Sequence, residues 1–147
     1  MTIDVRQALA ADISAVLALY AQPDLDDGKV LDEAAAQQLF AQFSRYPNYR
    51  LFVATEDGAV VGSYALLIMH NLAHRGMPSA IAEDVVVAPS NHGKGIGRCM
   101  MAHALTEARI AGCYKLALSS NRKRTQAHAF YESLGFDQHG LSFVIEP

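Results

Sequence analysis

The spacing of apolar positions changes along this chain, and each change predicts an element. Ile3 to Ala8 reads as a first strand. Asp12 precedes Ile13, Val16, Leu17 and Tyr20, a helical face with Asp12 as its cap. Pro23-Asp24-Leu25-Asp26-Asp27-Gly28 reads as a loop, and Leu31 to Ser44 as a second helix that turns Leu39, Phe40 and Phe43 inward. Leu51 to Thr55 and Val60 to Met69 flank Glu56-Asp57-Gly58-Ala59, and Asp-Gly between apolar runs predicts a hairpin. A polar loop, His70 to Ser79, leads to a strand over Ala80 to Val87. A helix over Gly95 to Ala111, a strand over Lys115 to Ser119, a helix over Thr125 to Leu134 and a last strand over Leu141 to Glu146 complete the reading. Hairpin-connected strands in front and strand–helix–strand behind predict an α+β, three-layer domain with a mixed sheet, one domain over residues 1–147.

Composition narrows the function classes. With 147 residues, 51% of them hydrophobic, the chain is long enough for one core and too apolar for disorder. A net charge of −3 and a pI near 6.0 argue against a nucleic-acid or anionic-membrane surface. Cys99 and Cys113 lack the close spacing of a zinc site or a redox dithiol, so reduced thiols and no metal are expected. The absence of a signal-like start and of a run of roughly 20 apolar residues predicts a cytoplasmic protein.

The candidate chemistry lies in Ile81-Ala82-Glu83-Asp84-Val85-Val86-Val87-Ala88-Pro89-Ser90-Asn91-His92-Gly93-Lys94-Gly95-Ile96-Gly97-Arg98. An apolar strand enters a turn with glycine at three alternate positions, and a helix starts at once. The unpaired first N–H groups of that helix, with its dipole, suit phosphate oxygens. The P-loop spacing fails because Gly95 follows Gly93-Lys94, and the dinucleotide fingerprint fails because Arg98 or Met100 stands where its third glycine belongs. What remains, His92-x-x-Gly95-x-Gly97, resembles the Arg/Gln-x-x-Gly-x-Gly/Ala loop of the GNAT superfamily of acetyl-CoA-dependent N-acetyltransferases. A second segment, Ala127-His128-Ala129-Phe130-Tyr131-Glu132-Ser133-Leu134-Gly135-Phe136, resembles the other signature of that superfamily. Ala127, Phe130, Tyr131 and Leu134 share a helix face, and Gly135 stands where a left-handed cap belongs. The order of elements matches as well, so the resemblance covers nearly the whole chain. It implies an α/β/α GNAT fold whose central sheet splays.

The resemblance also implies roles. The backbone of Val85, Val86 and Val87 would hydrogen-bond the pantetheine arm of acetyl-CoA. The amides of Gly93, Lys94, Gly95, Ile96, Gly97 and Arg98 would hold its pyrophosphate. His92 stands where the family has Arg or Gln, and its charge near neutral pH is conditional. Asn121 matches a frequent cofactor contact. Tyr131 matches the phenol that protonates the departing thiolate and touches the cofactor. Glu83 and Asp84 are the paired carboxylates beside the expected acetyl site, and Glu83 is favoured as base, directly or through water. Simple alternation puts Glu83 on a face with Val85 and Val87, and Asp84 on the other with Val86.

Glu83-Asp84-Val85-Val86-Val87 with Gly112-Cys113-Tyr114-Lys115 is similar to the glucosamine-6-phosphate N-acetyltransferase branch, which implies a homodimer. His70 and His74 lack the Glu that a zincin motif needs after its first His, and a substrate loop is expected there. The favoured function is acetyl transfer from acetyl-CoA to a primary amine of a small molecule by direct attack in a ternary complex. A protein or peptide acceptor, or a non-catalytic acyl-CoA-binding module, stays open.

Overall fold

The hairpin at Asp57-Gly58 closes the pairs Glu56↔Ala59 and Thr55↔Val60, and the register shifts by one residue between Thr55 and Ala54. Asp57 and Gly58 sit at positive φ, 50° and 89°, as a two-residue turn with the right twist requires. In the computed structural model, which describes residues 2–147, the turn joins β2 (Tyr49–Glu56) to β3 (Ala59–Met69). With β1 (Ile3–Gln7), β4 (Ser79–Val87) and β5 (Leu116–Ala117) they form one sheet in the order β1-β2-β3-β4-β5. The first four strands pair antiparallel, and β5 lies parallel to β4. The chain divides into two compact units, one ending at Ala117 and the other starting at Leu118.

In the first unit helices cover both faces of the sheet. Helix α1 (Ile13–Tyr20) and helix α2 (Glu33–Gln42) close one face over Val16, Ala36, Leu51, Val53 and Ala65. Helix α3 (Ile96–Ile110) closes the other with Ile96, Met100, Met101, Ala104 and Ala108, all buried. Gly62 of β3 permits this approach, because a Cβ there would meet Ile96 Cγ2 at 3.0 Å and Met100 Sδ at 3.1 Å. The second helix is shorter than the 31–44 span expected from sequence, since Phe43–Arg45 tightens into a 3-10 turn. Asp12 precedes α1 as expected but does not cap it. Its carboxylate reaches back to the Leu9 N–H at 2.7 Å and pairs with the Arg6 guanidinium at 2.7 and 3.0 Å.

The second unit holds helix α4 (Thr125–Ser133), which ends as the sequence indicates. Gly135 has φ 96°, its N–H bonds Glu132 O, and the Phe136 N–H bonds Tyr131 O at 3.1 Å. The strand expected over Leu141 to Glu146 is not formed. A strand exists only through a partner's backbone, and here Leu141, Phe143, Val144 and Ile145 stand 85–97% exposed. The strand expected over Lys115 to Ser119 shrinks to Leu116–Ala117 for the same reason, because pairing with β4 stops at Ile81↔Ala117.

Candidate active site

Beyond Ile81, β4 makes no further ladder pair with β5, so the side of β4 away from β3 carries no strand partner from Ala82 onward. Two features shape that edge. The first is a bulge. Ala65 pairs with Glu83 and Ser63 with Val86, so the single residue Tyr64 faces both Asp84 and Val85. Asp84 takes φ 52°, a left-handed conformation that Asp tolerates better than most residues. The extra residue shifts the alternation expected for a regular strand. Glu83 and Val86 now share the face of Ala65 and Ser63, and Val87 falls with Gly62 on the α3 face. The expected grouping of Glu83 with Val85 and Val87 is therefore corrected.

The second feature is the direction of the Val87 peptide. The Ala88 N–H bonds Val61 O on β3 at 2.8 Å, so the Val87 C=O points away from β3, toward the unpaired edge. Two side chains meet it, Gln22 Nε2 at 3.0 Å and His92 Nε2 at 3.1 Å. His92 thus folds back onto the strand end. Val86, by contrast, faces β3, so the three valines differ in what their backbones offer.

The glycine loop follows. A 3-10 turn, Pro89–Asn91, leads to His92, and Gly93 and Gly95 take φ 79° and 83°. A Cβ at either glycine would meet no atom within 4 Å, so the space beside them is open. The first bond inside α3 is Cys99 N–H to Gly95 O at 3.0 Å, which leaves the Ile96, Gly97 and Arg98 amides without helical partners. This is the donor set a diphosphate needs, and it fits one. Lys94 lies 3.8 Å from Glu56, while Arg98 is exposed.

On the α1 face the bulge carries a cluster of acids and phenols. Glu83 is exposed, yet the partial desolvation it meets at the bulge, together with the neighbouring Asp84, pushes its carboxyl up from the ordinary range. Asp84 is raised by burial and by Asp26 of the α1–α2 loop. Burial raises the Tyr49 phenol, with both carboxylates contributing, and raises Tyr20 with help from Asp84. Sequence reasoning found Glu83 and Asp84 but missed Asp26, Tyr20 and Tyr49. Tyr20 carried a signal only as part of a core-facing stripe. Carboxylates with raised pKa values can accept a proton from an ammonium group, and half-buried phenols with raised pKa values stay protonated as donors.

In the second unit, burial raises the Tyr131 phenol against the opposing charge of Arg124. Its ring packs against Phe130 at 5.3 Å and Phe136 at 5.8 Å. A phenol kept protonated is suited to give a proton to a thiolate. Asn121 builds the turn into α4. Its Oδ1 accepts from the Lys123 N–H at 2.9 Å, and its C=O accepts from the Arg124 N–H and faces His128 Nε2 at 2.8 Å. Away from these residues, His74 stacks on Tyr114 at 4.3 Å. Cys99 and Cys113 are free thiols. Among the described residues no helix is long and apolar enough to cross a membrane.

The unpaired strand edge, the bulge and the helix start with free amides all lie in one β4–α3 unit. Residues 47–138 match the Acetyltransferase (GNAT) domain family, and the chain belongs to that family of N-acetyltransferases. It is 34% identical to the aminoalkylphosphonate N-acetyltransferase of Salmonella typhimurium over 141 residues, 96% of this chain and 89% of that one. It is 37% identical to the glucosamine 6-phosphate N-acetyltransferase of Trypanosoma brucei brucei over 90 residues, 61% of this chain and 59% of the relative. A Trypanosoma brucei acetyltransferase structure superposes with a TM-score of 0.84 at 28% identity, covering 99% of this chain and 100% of the other.

Proposed function

We propose that this chain transfers the acetyl group of acetyl-CoA to a primary amine of a small molecule by direct attack in a ternary complex. The observation that carries the reading is the run from the bulge at Asp84 to the free amides of Ile96, Gly97 and Arg98. Bound acetyl-CoA supplies the activated acyl thioester. The glycine-loop amides would bind its pyrophosphate, and the outward Val87 backbone its pantetheine arm. Gln22 and His92 would yield the Val87 carbonyl or share it. Glu83, with Asp84 beside it, would take a proton from the acceptor's ammonium group, directly or through water, and so free the nitrogen lone pair that attacks the thioester carbonyl. Tyr131 would return a proton to the leaving sulfur. A relative that aligns over 96% of this chain supports the reading of one domain over residues 1–147. The relatives are named for small phosphorylated or phosphonylated amines, which favours a small acceptor over a protein. The apolar segment Leu141 to Ile145, exposed in the single chain, supports a homodimer that covers it. A cytoplasmic location agrees with this chemistry.

The test is a turnover screen with acetyl-CoA and thiol detection over amino sugars, aminophosphonates, amino acids, polyamines and peptides. Amine-dependent thiol release with at least one small amine is expected. Release with peptides alone would overturn the small-molecule reading, and no release with any amine would overturn the enzymatic one.

A further inference from the structure

Apart from the bond of His92 to the Val87 carbonyl, the glycine loop has few contacts of its own to hold its shape. His92, Gly93, Lys94 and Gly95 are all exposed, and two of the four are left-handed glycines that add no side-chain packing. The residues that bracket the loop are nonetheless tied to one point on the sheet. Asn91, 8% exposed, ends the 3-10 turn that enters the loop. Its Oδ1 accepts from the Ser90 hydroxyl at 3.1 Å, which turns its Nδ2 to donate to Glu56 Oε2. Lys94 Nζ lies 3.8 Å from the other oxygen, Glu56 Oε1. Glu56 ends β2 at the 57–58 hairpin, and its side chain is 17% exposed. One carboxylate therefore grips the loop on both sides of its first glycine.

A carboxylate is a poor neighbour for a diphosphate unless its charge is spent. Here a cation and a charge-assisted hydrogen bond spend it. The two contacts differ in weight. The Lys94 contact is long and half-exposed, so solvent screens it. The Asn91 bond is partly buried and made to an ion, so it holds the geometry.

We propose that Glu56 is a positioning residue for the cofactor's diphosphate, fixing the glycine loop through Asn91 with Lys94 as its neutralising partner. This rests on reading the loop as the diphosphate site. It touches no reacting atom, so its effect must follow the diphosphate and spare the acyl chemistry.

The experiment compares full-length wild type, Glu56→Ala and Glu56→Gln by calorimetric titration with CoA. Their kcat/KM values are then compared with acetyl-CoA and with S-acetyl-pantetheine, a thioester that lacks the diphosphate. Glu56→Ala is expected to bind CoA about tenfold or more weakly, while its kcat/KM with S-acetyl-pantetheine stays within about twofold of wild type. Glu56→Gln keeps an acceptor for Asn91, so its CoA affinity is expected within about threefold of wild type. Unchanged CoA affinity in folded Glu56→Ala would overturn the assignment. So would equal losses with both thioesters, the mark of general damage. If Glu56→Ala does not fold, Asn91→Ala is expected to show the same split, and its absence there is equally decisive. A wild-type chain that fails to bind CoA would overturn the reading of the loop itself, an outcome visible before any variant is compared.

Discussion

Helix α3 offers a matched pair of glycines that separates backbone strain from cofactor binding. Gly95 precedes its first turn with φ 83°, and Gly112 follows its last with φ 75°. A Cβ at either would meet no atom within 4 Å, so Gly→Ala creates no clash at either end. What each substitution costs the fold is the left-handed conformation, about 1–2 kcal/mol for a residue with a Cβ. The lower entropy of the unfolded alanine chain offsets about 0.4–1 kcal/mol of that. Both variants are therefore expected to lose about 1 kcal/mol, seen as a Tm lower by about 3–5 °C in differential scanning calorimetry. Their cofactor affinities are expected to diverge. At Gly95 the new methyl stands beside the Ile96, Gly97 and Arg98 amides, where phosphate oxygens would approach. A lost hydrogen bond to a charged group is worth about 1.5–3 kcal/mol, so CoA affinity is expected to fall tenfold or more, roughly. At Gly112, beyond the other end of α3, affinity is expected to be unchanged. Titration of both variants with CoA decides the matter. Equal affinities at matched Tm losses would refute the placement of the diphosphate on this helix start.

Four further outcomes are expected. Tyr131→Phe keeps the ring packing against Phe130 and Phe136, so CoA affinity is expected to hold while turnover falls about 10²–10⁴-fold, provided that chemistry limits the rate; stopped-flow thiol release checks it, and wild-type turnover would remove Tyr131 from the mechanism. Because partial desolvation and Asp84 hold the Glu83 carboxyl above its ordinary range, kcat/KM is expected to decline as pH falls at a higher pH than an ordinary carboxylate would give, and Glu83→Gln should abolish that limb; an unaltered profile in the Gln variant would leave water or Asp84 as base. The Arg6 hydrogen bond holds the Asp12 carboxyl below the ordinary aspartate range, so its stabilisation is present above the pKa of an unfolded aspartate and disappears as pH falls through the lowered folded value; urea titrations of Asp12→Asn should show a loss of stability at pH 7 that shrinks at strongly acidic pH, and a loss independent of pH would contradict the linkage. Removing residues 141–147 is expected to turn a dimer into a monomer in sedimentation velocity, and an unchanged sedimentation coefficient would detach the apolar tail from the interface.

The features legible in the sequence were those that one local stretch determines. Asp57-Gly58 can close a two-residue hairpin without help from elsewhere, and Gly135 marks the end of α4 because a left-handed residue is favoured there. The bulge at Asp84 left no such mark. A left-handed aspartate inside an apolar run reads like any strand residue, and only the pairing with Ser63 and Ala65 reveals the extra position. Glu56, Gln22 and Asp26 were missed because their roles depend on contacts with residues far along the chain, which no periodicity encodes. Leu141 to Glu146 has the composition of a strand, but a strand also needs a neighbour, and composition does not supply one.

In the proposed reaction the acetyl group passes from acetyl-CoA to an amine without stopping on the protein. The direct test is a single turnover with acetyl-CoA labelled at the acetyl carbonyl carbon, followed by carbon NMR of the small molecules and intact mass of the chain. The expected result is an amide carbonyl signal equal to the free CoA released, with the protein mass unchanged. Label carried by the protein, or CoA release without amide, would contradict it.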